Sequence, residues 1–395
     1  KIFHKHSEMI QVLPSFFRLA LISLLLLGSC IGLQAQQLID GSIMHDGLQR
    51  EYILYVPAAY DGSDAVPLVF NFHGLGSSAT QQALYGDFRS IADTANFLLV
   101  HPEGTLFQGV QHWNVGGFTS GSTVDDVGFT SALLDTLAAQ YNVDLNRVYS
   151  TGLSNGGYMS FLLACQLSER IAAVASVTGS MTPGTLADCD AQHPTPVMQI
   201  HGTADLTVPY NGSSFSESIE EVLLYWVDYN NGNQSADTMS LPDIDTNDGS
   251  TVEHIVFSGG TNGARVEHYK VLGGGHTWPG SFLAFPGTNY DFDASVEIWR
   301  FFAQYDLQSL GGTVNTQPLA KEATALRIFP NPTTDVVYLE GALAGDTPWQ
   351  LFNLQGQLLR SGQLRQPRVY VGDLPAGGYY LKVGAQTEQI IKVGY

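Results

Sequence analysis

Short runs of β-branched and aromatic residues, separated by helix-length segments, limit what this chain can fold into more than any other feature. They fall at residues 51–56, 67–72, 97–100, 147–149, 172–177, 197–200 and 266–271. Continuous apolar runs of this kind suit strands buried on both faces, and their alternation with helices makes a mostly parallel sheet covered by helices. The pattern predicts this α/β architecture over residues 36–307. Several runs end directly in polar segments: His73-Gly74, His101-Pro-Glu-Gly104, Gly152-Leu-Ser154, His201-Gly202 and the loop that carries His276. Sites in open α/β sheets lie beyond the carboxyl ends of the strands, so these loops are expected to converge.

One of those ends is specific. Gly152-Leu153-Ser154-Asn155-Gly156 follows a strand run and opens a helical one, the setting of the nucleophile elbow of α/β-hydrolases. In a chain with 42 glycines the pentapeptide alone is a weak signal, and a plain turn serine is the bland alternative. Two later segments strengthen it: His201-Gly-Thr-Ala-Asp205 and Gly273-Gly-Gly-His276-Thr-Trp278-Pro-Gly280. They supply an acid and a histidine in the order Ser, Asp, His that this fold uses. Ser154 is therefore the candidate nucleophile, His276 its base and then the acid for the leaving group, and Asp205 the group that orients the imidazole. Asp125 and Asp126 precede the serine, fit that order poorly, and suit the start of a helix over 127–140. The candidate oxyanion hole takes one backbone amide from His73-Gly74-Leu75-Gly76, with Leu75 preferred and Gly76 left open, and a second from Asn155. Trp278, Trp113 and Tyr85 are candidates to line a substrate pocket, although such aromatics more often belong to a core.

Lys1, Lys5 and Arg18 precede an apolar run at 19–27 and small residues up to Ala35, which reads as a signal peptide over 1–35. The run is about half of a membrane span, so no permanent anchor is expected. A lipoprotein box ending in Cys30 is the alternative. Loss of the leader moves the formal charge from −20 to −22, because it carries three bases and one acid. Such an acidic chain repels nucleic acid and anionic membranes and suits a neutral or polymeric substrate. In an exported protein the remaining cysteines, Cys165 and Cys189, favour a disulfide, with two buried thiols as the alternative. Residues 243–249 have only part of a calcium loop, since the glycine comes one position late and the twelfth residue is His254, so no metal site is expected.

Residues 308–325, rich in Gly, Thr and Gln, read as a linker. Beyond them short strand runs at 326–332, 336–339, 349–352, 369–371, 379–383 and 390–393 alternate with turn signals. They predict a small all-β sandwich over 326–395.

At these residues the chain resembles the secreted polyhydroxybutyrate depolymerase and feruloyl esterase-like α/β-hydrolases, related to carbohydrate esterase family one. The likeness covers roughly residues 38–306 and also rests on Asp125-Asp126-Val-Gly-Phe129 and on Val208-Pro-Tyr210. It implies the triad roles above, no cofactor, and a serine carboxylesterase acting on feruloyl or acetyl esters of plant polysaccharide. An aliphatic polyester depolymerase is the alternative, and a surface-displayed polymer-binding protein with an inactive hydrolase fold is the alternative of another class. Many relatives carry a further cysteine pair near Asn230-Gly232 and Gly260, which this chain lacks. The C-terminal segment is similar to type IX secretion sorting domains, through Phe329-Pro-Asn-Pro332, Leu351-Phe-Asn-Leu-Gln-Gly356 and Leu374-Pro-Ala-Gly-Gly-Tyr379. That likeness implies the type IX machinery as a partner and export across the outer membrane, to the medium or the cell surface.

Overall fold

The computed structural model describes residues 36–312, together with 327–329, 331–340, 347–353, 357–364, 368–384 and 386–393. The expected leader with Cys30, and residues 313–325 of the expected linker, lie outside the described residues. So do Pro330 and residues 354–356 of the sorting motifs. The chain divides into two compact units, 1–314 and 315–395.

In the first unit ten strands form one sheet: β1 (Gln37–His45), β2 (Leu48–Val56), β3 (Val66–Phe72), β4 (Leu98–Pro102), β7 (Val143–Leu153), β8 (Ala173–Val177), β9 (Val197–Gly202), β10 (Asp237–Ser240), β11 (Thr251–Phe257) and β12 (Val266–Leu272). A separate short hairpin holds β5 (Thr105–Phe107) and β6 (Val110–His112). The sheet order is β1-β2-β4-β3-β7-β8-β9-β12-β11-β10, and the six strands from β4 to β12 run parallel. β3, β4, β8 and β9 are buried along their whole length, which is why they read as largely apolar runs without alternation. One face of the sheet packs a core that includes Phe72, Trp113, Phe129 and Trp226. The other packs Phe88, Tyr149, Trp278 and Phe302.

The antiparallel margins extend the pattern expected from sequence. β1 pairs with β2 at one edge, and β11 and β10 continue past β12 at the other. β1 alternates exposed and half-buried positions and is interrupted by Asp40-Gly41-Ser42, so it carries no continuous apolar signal. Helix Asp126–Gln140 begins where the acids stand: the Asp125 carboxylate accepts the Gly128 amide at 2.8 Å as its cap. The buried Asp126 carboxylate accepts from the Arg50 guanidinium and the Asn114 amide, each at 2.7 Å, with Arg50 over the Phe129 ring. Neither acid is left to orient a catalytic histidine. The packed unit runs five residues past the expected end at 307, because Leu310 is buried and the Gly312 amide donates to Leu307 O at 2.8 Å.

Cys165 and Cys189 are joined by a disulfide, which ties helix Asn155–Gln166 to the segment before β9. Around residues 230–233 and 258–261 the chain is held by hydrogen bonds. The Thr261 amide donates to Asn230 O at 2.7 Å and the Asn233 amide to Ser258 O at 2.8 Å. The Asn230 carboxamide also bonds both Thr195 N and Thr195 O at 2.7 Å.

Four buried histidines make the fold acid-sensitive. Burial pushes His73, His101 and His201 down to about 4 and His268 to about 3. In the unfolded chain each titrates near 6.5, so between about pH 6.5 and 4 the unfolded state binds more protons than the native one. Stability is therefore intact above that window and falls as pH drops through it, by up to about 1.4 kcal/mol per pH unit per histidine. Thermal midpoints measured from pH 7 to 4.5 are expected to fall steadily; a constant midpoint would contradict neutral burial.

The second unit has three antiparallel strands, Arg327–Phe329, Val336–Glu340 and Arg368–Tyr370, and a four-stranded antiparallel sheet of Leu358–Leu364, Thr347–Asn353, Gly377–Val383 and Gln386–Lys392. Val337 and Val369 from one sheet share a core with Leu351, Leu381 and Ile390 from the other, so the two face each other as a sandwich. Among the described residues no helix is long and apolar enough to cross a membrane.

Candidate active site

β7 ends at Leu153 and a helix starts at Asn155, leaving Ser154 alone between them with φ 54° and ψ −119°. A non-glycine residue held there stores about 1–3 kcal/mol of backbone strain and persists only where its surroundings fix it. The Ser154 amide donates to Val177 O at 2.8 Å, and its carbonyl accepts the Tyr158 amide at 3.0 Å. The flanking glycines follow from sterics. A Cβ on Gly156 would lie 2.2 Å from Phe72 O, and one on Gly152 would lie 2.6 Å from the same oxygen. No side chain fits either place, so the turn stays tight and carries the hydroxyl to the carboxyl edge of the sheet.

Asp205 and His276 come from the ends of β9 and β12, the strands two and three places from β7 in the sheet. Their loops are laced together: the Thr203 amide donates to Val271 O and the Ala204 amide to Gly274 O, both at 2.9 Å. His276 Nδ1 lies 2.7 Å from Asp205 Oδ2, while Asp205 Oδ1 accepts the Thr207 and Val208 amides at 2.8 and 2.9 Å. Because the carboxylate accepts, Nδ1 carries a proton, and in the neutral ring this tautomer leaves Nε2 with the lone pair. Burial pushes the Asp205 carboxyl up, but the His276 bond and charge, with the Val208 amide, outweigh it and hold the group below the usual carboxylate range. The His276 side chain keeps 21% of its surface exposed and Asp205 none, the gradient expected of a base that meets substrate and an acid that does not. His201, also near Asp205, is a different kind of residue. It is fully buried, accepts from Gln199 Nε2 at 3.0 Å and donates through Nε2 to Val208 O at 2.8 Å, so it packs the Asp205 loop as a neutral ring.

The loop after β3 separates the two amides left open by sequence. Gly76 N donates to Gln111 O at 2.8 Å and is committed, whereas no partner of Leu75 N is found among the described residues. His73, at the root of this loop, is neutral and fixed by two bonds: Nδ1 donates to Gly74 O at 2.8 Å and Nε2 accepts the Gly104 amide at 2.9 Å.

Two of the three aromatic candidates are buried in the core. Trp113 is 0% exposed and Trp278 1% exposed, so neither offers a surface to a ligand in this conformation. The Trp113 indole donates to His73 O at 2.9 Å and the Trp278 indole to Ser295 Oγ at 3.1 Å. Both are core residues beneath the loops. Tyr85 is half-buried; its hydroxyl accepts the Trp278 amide at 3.0 Å, and its ring meets the exposed Phe285 edge-on at 5.2 Å. Glu103, Gln111 and the Asn155 carboxamide, none of which the sequence pattern gives a side-chain role, bond the loops around the serine. Among the described residues no group of three His, Cys, Asp or Glu is placed to hold a metal ion.

Comparison with known proteins matches residues 50–193 to the esterase PHB depolymerase family and residues 327–393 to the secretion system C-terminal sorting domain. A probable feruloyl esterase C of Aspergillus terreus is 30% identical over 58% of this chain and 82% of its own length. A bifunctional acetylxylan esterase/xylanase of Neocallimastix patriciarum is 26% identical over 69% of this chain. That match spans only 36% of the fungal protein's length. The solved acetyl xylan esterase from Aspergillus awamori superposes with a TM-score of 0.49 at 13% identity, covering 68% of this chain and 99% of that one.

Proposed function

Because the chain belongs to the esterase family of PHB depolymerases and feruloyl esterases, we propose that it is an exported serine carboxylesterase that works through an acyl-enzyme. Ser154 Oγ attacks the ester carbonyl carbon while His276 Nε2 takes its proton. The carbonyl oxygen becomes an oxyanion that accepts from the amides of Leu75 and Asn155. Collapse breaks the ester C–O bond, and His276 returns the proton to the departing alcohol. Water, deprotonated by the same nitrogen, then releases the acid and restores Ser154. Asp205 keeps Nδ1 protonated and stabilises the imidazolium formed on the way. The observation that carries this reading is the His276–Asp205 bond of 2.7 Å, with the other carboxylate oxygen held by two amides, on loops that leave the same parallel sheet as the strained turn carrying Ser154.

The favoured substrates are feruloyl or acetyl esters of plant polysaccharide, supported by the names of the similar enzymes, with aliphatic polyester second through the family description. The acidic chain, at −20, suits a neutral polymer. The C-terminal sorting domain marks the protein for export, and its proposed partner is the type IX machinery. We assign a leader to 1–35, the catalytic domain to 36–307 with its packed extension to 312, a linker to 325 and the sorting domain to 326–395.

Methyl ferulate, p-nitrophenyl acetate and a poly(3-hydroxybutyrate) suspension, each incubated with the protein, test the substrate class. Release of ferulate without clearing of the suspension is expected. Clearing with little ferulate release would move the assignment to polyester, and no turnover of any of the three would favour an inactive, polymer-binding fold.

A further inference from the structure

The two amides that would receive the oxyanion belong to different parts of the chain, the loop after β3 and the first turn of the helix after Ser154. Their spacing has to be fixed by something that touches both. The segment from Gln111 to Trp113 does so. On one side, Gln111 O accepts the Gly76 amide at 2.8 Å and the Trp113 indole donates to His73 O at 2.9 Å, so the oxyanion loop is pinned at both ends. On the other, the Asn155 carboxamide forms a reciprocal pair with the Trp113 main chain. Trp113 N donates to Asn155 Oδ1 at 2.7 Å, and Asn155 Nδ2 donates to Trp113 O at 3.1 Å. Asn155 is 1% exposed and Trp113 0%, so water does not compete for either bond. Glu103 anchors the segment from behind: Oε1 accepts from Gln111 Nε2 at 2.7 Å and Oε2 from the Ala79 amide at 2.8 Å. Ala79 opens the helix Ala79–Tyr85, directly after the oxyanion loop.

We propose that the 111–113 segment is a brace that sets the separation of the Leu75 and Asn155 amides, with the Asn155 side chain as its principal positioning group and Glu103 as its anchor. Asn155 thus has two separable tasks, its amide donating to the oxyanion and its carboxamide aiming that amide. The proposal rests on the acyl-enzyme reading above. A donor displaced by about 1 Å costs on the order of 10²-fold in rate, because the bond it makes is realised fully only in the transition state. Ground-state binding of the ester does not draw on that bond in the same degree.

The test is Asn155→Ala, which keeps the amide and removes the carboxamide. We expect kcat for p-nitrophenyl acetate to fall about 10- to 100-fold with KM within about threefold. Affinity for phenylboronic acid, which adds to the serine as a tetrahedral mimic, is expected to fall by the same factor as kcat. Glu103→Ala removes the acceptors of both Ala79 N–H and Gln111 Nε2–H, and is expected to show the same signature at about three- to tenfold. It serves as the second variant if Asn155→Ala does not fold. A kcat and boronate affinity within twofold of wild type in the folded variants would overturn the brace. So would parallel losses in KM and boronate affinity together, since those mark general loosening of the site. A wild-type protein without Ser154-dependent turnover would instead strike the acyl-enzyme reading, so the two failures are distinguishable.

Discussion

Ser154→Ala is expected to lower kcat by about 10⁴- to 10⁶-fold on any ester the protein turns over, while leaving the fold intact. The loss is large because the substitution removes the attacking oxygen itself. Ser154 alone is held at positive φ between the ends of β7 and the following helix, and the close glycine contacts with Phe72 O fix that turn. The serine hydroxyl makes no hydrogen bond to another described residue that the alanine would break, so thermal midpoints of the two proteins should agree within a degree or two. Residual turnover would come from the amides and from substrate binding. Rates of p-nitrophenyl acetate release, corrected for the blank, measure the effect; a loss below tenfold would remove Ser154 from the chemistry.

Asp205→Asn carries the second largest expected effect, a drop in kcat of about 10⁴-fold. Asn can still accept the Thr207 and Val208 amides through its carbonyl oxygen, which directs its NH2 at His276 Nδ1. A donor there stabilises the tautomer with Nδ1 unprotonated and Nε2 protonated, the wrong one to take a proton from Ser154. The variant also has a pH signature. The Asp205 carboxyl is held below its ordinary value in the folded state, so its contribution to stability is present above the unfolded value of about 3.9 and is lost as pH falls through the folded one. The stability deficit of Asp205→Asn should therefore be greatest near neutral pH and shrink in acid. Chemical denaturation at pH 7 and at pH 3.5 measures it, and a deficit that grows in acid would contradict the lowered carboxyl.

Much of this fold is legible because burial on both faces writes itself plainly into β3, β4, β8 and β9 as largely apolar runs without alternation. The margins are harder. β1, β10 and the strand Leu358–Leu364 are largely exposed and carry polar residues, so their pairing is decided by neighbours rather than by their own composition. At the site, the elbow can be read from five residues because its glycines are demanded by close contact with Phe72 O on the neighbouring strand β3. Asp205 and His276 are legible by order and by their loops. Trp113 and Trp278 show the limit of the same reasoning: read as candidates to line a pocket, they are buried, and their indoles close the core under the loops. Glu103 and the Asn155 carboxamide escape notice for a different reason. Apart from the Gln111 carboxamide, their partners are backbone amides and carbonyls brought close only by the tertiary fold, and a backbone group leaves no trace in the residue type that bears it.

The central claim is a covalent acyl intermediate on Ser154, and trapping tests it most directly. The protein would be inactivated with an alkyl fluorophosphonate, digested, and the modified residue located by mass spectrometry, with residual esterase activity followed in parallel. One phosphonyl group on Ser154, appearing as activity disappears, is the predicted result. Activity that survives full phosphonylation of Ser154, or is lost through a label on another residue while Ser154 stays free, would contradict it.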